Sequence, residues 1–197
     1  MKIRGCAASL LLAASVLAGL LTGCAEKTAV QEDDPIIASY GETEIRQSLV
    51  DYEKKNLQAL NGTTDVSSRE ATEQLLFNLA MLDEAEQLGL RVTQEEADAA
   101  FAAQKQNYET SDEVRQYVDD WCKQTGVTLE DYFSAVQEQL PRVILRQKLR
   151  NALGEAYCEA HGLSFTKVNP PAEMEAYVQN YLDGLLDKYS AKITYYR

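Results

Sequence analysis

Between residues 44 and 189, apolar side chains recur at spacings of three and four, the period of a helix with one buried stripe. Ile45, Leu49, Tyr52 and Leu60 mark a first helix over Glu44–Leu60, which the turn-forming run "NGTTD" (Asn61 to Asp65) stops. Ala71, Leu75, Leu79, Leu82 and Ala85, widened by Leu76, Phe77 and Met81, mark a second from Ser68 to Leu88. Gly89 supplies the left-handed residue that ends it. Thr93 and Glu96 then form a capping box, each side chain satisfying the other's orphan amide, and open a third helix over Gln94–Glu109. The same start and stop recur around residues 111–126, with Thr110 and Glu113 at the head and Gly126 at the tail. Val114, Tyr117, Val118, Trp121 and Cys122 fall on one side of that fourth helix.

Thr128 opens a fifth helix that carries Leu129, Phe133, Val136, Leu140, Ile144, Leu149 and Leu153 toward Cys158. Pro141 lies inside it, lacks an amide hydrogen, and predicts a kink near Gln137–Pro141. "HGLSFTKVNPP" (His161 to Pro171) reads as a loop, and Pro171 leads into a last helix, Ala172–Tyr189, striped with Met174, Tyr177, Tyr181, Leu185 and Tyr189. At the two ends of this body the period changes to two, so Ile36–Tyr40 and "AKITYYR" read as strands. A lone strand leaves backbone groups unsatisfied, which predicts that these two pair. The expected fold is mostly α, a helical lobe with a small two-stranded sheet joining its N- and C-terminal segments.

Ahead of this body the pattern is of another kind. Lys2 and Arg4 precede an apolar run from Ala7 to Leu21, closed by "LTGC" (Leu21 to Cys24). Positive, apolar and small-residue segments in that order are the layout of a secretory signal, and the run is shorter than the roughly 20 residues a spanning helix needs. The "LTGC" register resembles the lipobox of bacterial lipoproteins, which implies cleavage before Cys24 and acylation of its thiol with palmitate-like chains. An ordinary signal peptide with a chance cysteine is the alternative. "AEKTAVQEDDP" (Ala25 to Pro35) is polar and aperiodic and reads as a flexible tether. Residues 1–23 are then a leader, 24–35 a tether and 36–197 a single lobe, lipid-anchored on the extracytoplasmic face of the cell membrane.

Loss of the leader removes Lys2 and Arg4, so 19 basic residues become 17 against 31 acidic ones, and the formal net charge moves from −12 to −14. That charge argues against nucleic acid as a partner. Of four cysteines, Cys6 leaves with the signal and Cys24 is acylated. Cys122 and Cys158 remain. One reading bridges them, worth about 3 to 4 kcal/mol outside the cytoplasm; the other leaves two buried thiols that never meet. No Cys/His spacing points to a metal, and no cofactor fingerprint is present. Acidic pairs such as Glu95/Glu96, Asp119/Asp120 and Glu130/Asp131 are adjacent in sequence. Neighbours on a helix diverge by about 100°, so they suit helix N-termini and solvated faces rather than a two-carboxylate site.

The succession of capped helices resembles the N-terminal chaperone domain of the SurA and PrsA foldases, a relative of the trigger-factor peptide-binding fold. The residues that carry the likeness are the bend Leu88, Gly89, Leu90, Arg91, Val92, Thr93 and the second bend Gly126, Val127, Thr128, Leu129, followed by Tyr132, Arg142 and Arg146. Coverage is most of residues 36–197, and the terminal "AKITYYR" resembles the family segment that returns to pair with the first strand. Many members insert a parvulin-type prolyl isomerase domain of roughly 90 to 100 residues before the last helix; this chain has only His161–Pro171 there. The lone histidine, His161, sits where last-turn carbonyls would engage it.

The resemblance implies a membrane-tethered, chaperone-like lipoprotein that binds unfolded or secreted polypeptides, without cofactor or catalytic residues of its own. Aromatic side chains give large contact area at low entropic cost, and Tyr108, Tyr117, Trp121, Tyr132 and Phe133 are the candidate peptide-binding residues. The competing reading is that these stripes are ordinary core. Two functional alternatives stand beside the first: an adaptor that docks one defined partner, and a residual prolyl isomerase using His161. Dimerisation stays open.

Overall fold

The computed structural model describes residues 34–196. The expected leader, the expected acylation site Cys24 and the expected tether as far as residue 33 lie outside the described residues. The chain enters as a hairpin: Ile36–Tyr40 (β1) turns at Gly41, whose φ of 57° a side chain would strain, and returns as Thr43–Arg46 (β2). The sequence pattern placed Glu44 in the first helix. It lies instead in β2, because a two-residue turn opposes Tyr40 to Thr43 and aims Ile45 into the core. Ile193–Tyr195 (β3) pairs antiparallel along the other edge of β1, giving the order β2-β1-β3. The chain ends therefore do meet, but in a three-stranded sheet rather than the two-stranded one expected.

The helices are α1 (Gln47–Asn61), α2 (Ser68–Gln87), α3 (Gln94–Thr110), α4 (Asp112–Thr125), α5 (Leu129–Ala160), α6 (Ala172–Asp183) and the single turn α7 (Leu185–Lys188), followed by a 3₁₀ turn at Ser190–Lys192. Capping boxes at Ser67/Glu70 and Thr93/Glu96 open α2 and α3. Thr128 opens α5 by accepting the Asp131 amide. The box expected at Thr110/Glu113 is displaced: Thr110 closes α3, and Ser111 serves both as its C-cap and as the N-cap of α4. α5 continues through Pro141, which withholds one donor from the Gln137 carbonyl without ending the helix. The last helix is shorter than predicted, because Gly184, a poor helix former, separates α6 from α7.

The start of α1 draws in two residues that the sequence pattern assigned to the expected tether. Arg46, its N-cap residue, makes no side-chain cap. Asp34 does that work from twelve residues upstream, its carboxylate accepting the Ser48 amide at 2.8 Å and the Ser48 hydroxyl at 2.7 Å. Those bonds, the amide first, hold the Asp34 carboxyl below its usual value. Pro35 accepts the Gln47 amide, and Arg46 donates to the Asp34 carbonyl. Asp34 and Pro35 thus belong to the lobe.

Packing divides into two apolar clusters. The first gathers Ala38 and Ile45 of the sheet, Leu75 and Leu76 of α2, Leu149 and Leu153 of α5, and Val178, Leu182 and Leu185 of α6 and α7. The second gathers Val114, Val118 and Trp121 of α4 with Tyr132, Val136, Leu140 and Val143 of α5. α5 is 32 residues, about 48 Å, and joins them by giving its first half to one and its second half to the other. At the second half, the loop after α5 and the first turn of α6 pack so closely that a Cβ on Gly154 would meet Phe165 at 2.9 Å and Met174 at 3.0 Å. No described helix is long and apolar enough to cross a membrane.

Candidate functional site

The five aromatic residues singled out in the sequence do come together, in the second cluster. α4 and the first half of α5 present Trp121 and Tyr132 with ring centroids 5.6 Å apart, Tyr132 contacts Phe133 at 5.1 Å, and Phe133 meets Tyr108 of α3 edge-on at 5.4 Å. Offset and edge contacts of this kind stabilise by about 0.5 to 1.5 kcal/mol each beyond area. Tyr117 is half-buried beside them. Only part of this assembly can touch a ligand. Trp121 and Tyr132 are each 3% exposed and are corrected from contact residues to core. Spacing alone placed them on an apolar stripe, and the face they occupy is the one α3, α4 and α5 close over. Tyr108 is tied to α4 by donating to Asp119 at 2.9 Å.

What stays open is the outer side of the same cluster. Phe101 and Lys105 of α3 and Leu129, Glu130, Phe133, Ser134 and Gln137 of α5 line a shallow cleft of about 520 Å³. Leu129 is 37% exposed, and the Lys105 ammonium stands 4.9 Å from the Phe101 ring centre and 5.7 Å from that of Phe133. The cleft therefore has an aromatic floor, an aliphatic wall and one cation and one anion at its rim. Phe101, Lys105 and Leu129 were absent from the sequence candidates. The sequence signal is Phe101 and Lys105 at i, i+4 on an alanine-rich helix whose other large ring is Tyr108.

The bend Leu88–Thr93 is held by an ion pair that reaches from α5. Lys148 donates to the Arg91 carbonyl at 2.7 Å and to Glu96, the same carboxylate that closes the α3 capping box. Lys148 first, then the Thr93 amide, keeps Glu96 below its usual value.

Two buried acids lie on stripes that read as apolar. Glu84 accepts from Tyr181 on one oxygen and from Lys188 and Tyr189 on the other, the last at 2.8 Å. Burial by itself would raise it; these three bonds outweigh burial and hold it low. In turn, burial and the Glu84 contact lift the Tyr181 hydroxyl to about 12. Beside it, Asp83 accepts from Tyr40 at 2.7 Å and from Lys192 at 2.5 Å. Together these bonds fasten the returning C-terminal segment to α2. Glu53 of α1 is in the opposite situation. Its Oε2 accepts a long 3.3 Å bond from Asn56, while Oε1 has no partner among the described residues, and burial pushes it up to about 7 despite Arg146 nearby. Withdrawal from water brings Arg146 down to about 10.

His161 is exposed at the end of α5, stacked on Tyr157 at 4.0 Å with Nδ1 at 2.8 Å from the Tyr157 carbonyl. Among the described residues no carboxylate is bonded to its ring. Cys122 and Cys158 are both free. Cys122 packs in the second cluster, close enough to Tyr132 to act on its hydroxyl electrostatically. Cys158 lies 26 residues further along α5, about 39 Å from Tyr132, whereas a disulfide needs Cα atoms within about 7 Å. Among the described residues no group of three His, Cys, Asp or Glu could hold a metal ion.

Among the described residues the fold is a mostly helical lobe closed by a terminal sheet, with an apolar surface depression between α3 and α5. No family model, no curated protein and no solved structure matches the chain.

Proposed function

We propose that the protein is a membrane-tethered, extracytoplasmic chaperone-like lipoprotein that holds extended or unfolded segments of secreted polypeptides. The observation that carries this reading is the cleft over Phe101, Leu129 and Phe133, an open apolar surface on an otherwise charged, acidic chain. Its floor is aromatic and rigid, because Phe133 is braced by Tyr108 and Tyr132, so an apolar client side chain finds a surface that needs no ordering on binding. Affinity per segment is weak, since ordering an unfolded partner offsets much of the contact free energy. The likeness of the Leu88–Thr93 and Gly126–Leu129 bends to the SurA and PrsA foldases supports the same reading.

The test is suppression of aggregation of a reduced, unfolded client by the mature chain. Suppression that weakens in Leu129→Ser, an exposed position whose change leaves the core intact, supports the proposal. No suppression by the wild-type chain at several-fold excess removes it.

A further inference from the structure

We propose that the outer edge of the terminal sheet, at Tyr195 and Tyr196, rests on the lipid bilayer that holds the chain. The inference builds on the tether reading above and adds to it the face that the lobe turns to the membrane. Exposed large apolar side chains elsewhere on the described surface stand apart along the chain, whereas Tyr195 and Tyr196, 57% and 50% exposed, are adjacent and leave the edge strand on its two faces, so that together they bracket the edge itself. They flank the entry point of the tether. The Tyr196 amide donates to the Ile37 carbonyl at 2.9 Å, the Tyr196 and Ser39 hydroxyls are 3.3 Å apart, and Ile37 is three residues, about 10 Å of chain, from Asp34.

Chain length limits which face can approach the lipid. Asp34 is ten positions after Cys24, and covalent geometry allows that stretch to span at most about 35 Å. Asp34 itself is pinned by Ser48 and Arg46, so the limit applies to the sheet and not to a slack extension of it. α5 alone is longer than that span.

The chemistry of the edge fits a headgroup layer. Tyrosine prefers the boundary where its ring is in apolar surroundings and its hydroxyl in water. Arg69, its side chain 85% exposed, donates from Nε to Glu73 at 2.7 Å and lies within electrostatic reach of Tyr195, and its terminal guanidinium nitrogens can turn to lipid phosphate. A bilayer contact also covers the unpaired outer edge of β3, which water and headgroups satisfy equally well.

The experiment uses the full chain, processed and acylated, in vesicles of phosphatidylcholine with or without brominated acyl chains. Tyr195→Trp and Leu129→Trp each add one reporter to the buried Trp121, and flotation is recorded alongside emission. Leu129 lies 20 residues before Leu149 on α5, about 30 Å from the first cluster. Both chains should float, and bromine should quench the Tyr195→Trp emission at least about twofold more than that of Leu129→Trp, as interfacial aromatic placement requires. Tyr196→Trp should behave like Tyr195→Trp. Equal quenching in chains that float overturns the bilayer-facing edge and leaves the tether in place. A wild-type chain that does not float, or a Cys24→Ala chain that floats as well as wild type, overturns the tether and this inference with it. Emission of Tyr195→Trp that ignores bromine but shifts with an unfolded polypeptide assigns the edge to clients and overturns the lipid contact.

Discussion

The two clusters solve the same problem, burying apolar faces of helices, with opposite treatment of their polar neighbours. Around the first, Glu84 and Asp83 have donors on the oxygens that face the C-terminal segment, and the result is a closed latch between α2, α6, α7 and the sheet. Around the second, Trp121 Nε1 and Gln104 Nε2 are buried with no partner among the described residues. Each such atom costs about 1 to 3 kcal/mol relative to a satisfied one. The first region is therefore locked, whereas the second rests mainly on apolar and ring packing, with the Tyr108–Asp119 bond beside it, and opens as a unit at lower free energy. The cleft proposed to bind clients lies on the second.

The largest expected effect separates the regions by where unfolding spreads. Trp121→Ala should cost about 3 to 5 kcal/mol within the second cluster. Native-state hydrogen exchange should rise in α3, α4 and the first half of α5 while sheet amides stay protected. Leu182→Ala, fully buried in the first cluster, should cost about 2 to 5 kcal/mol and raise exchange throughout. If both variants open the same amides, the two regions are one cooperative unit.

Glu84→Ala should come next, at about 2 kcal/mol, because it strands the Tyr181 and Tyr189 hydroxyls and the Lys188 ammonium. Glu84 is depressed in the folded state, so its contribution is present above the unfolded carboxylate range and is lost as pH falls through the folded value. Denaturant midpoints of wild type should fall on acidification below about pH 4.5, and those of Glu84→Ala should fall less.

Glu53 carries the opposite sign. Its folded value is raised from 4.5 to about 7, so the folded state holds a proton the unfolded state has lost, and stability declines as pH rises from 4.5 to 7 and is flat above. Glu53→Gln should remove that slope, worth on the order of 3 kcal/mol across the window before the attraction of Arg146 is discounted. An unchanged slope in thermal melts would mean that Glu53 is ionised against Arg146 throughout. The smallest effect is that of Leu129→Ser, within about 0.5 kcal/mol of wild type in stability while client suppression weakens.

Much of the fold was legible because capping chemistry is local. Thr93/Glu96, Thr128, Gly89 and Gly126 stand where a side chain or a left-handed residue must end a helix, and the structure uses all four. The β2 strand was missed because four residues with one buried side chain give no period. The α1 stripe was set one residue off: Leu49 and Tyr52 are only half-buried, and the buried line runs Val50, Glu53, Asn56. Two polar residues on a buried line hid it from a reading that counts apolar ones. Similarly, Leu76, Ala80 and Glu84 lie four apart and are all buried, so the latch was written at i, i+4, but its partners Tyr181, Lys188 and Tyr189 lie about a hundred residues away. Of the five aromatic candidates, sequence grouped them correctly and could not tell which side of Phe133 faces water.

The central claim is that the second region is the working surface and the first its anchor. Hydrogen exchange of the mature chain, with and without an excess of a reduced, unfolded client, tests it most directly. Slowed exchange confined to α3 and the first two turns of α5, with sheet, α6 and α7 unchanged, is the predicted result. Slowed exchange confined to the sheet or to the α5–α6 loop, or none at all under conditions where aggregation is suppressed, would contradict it.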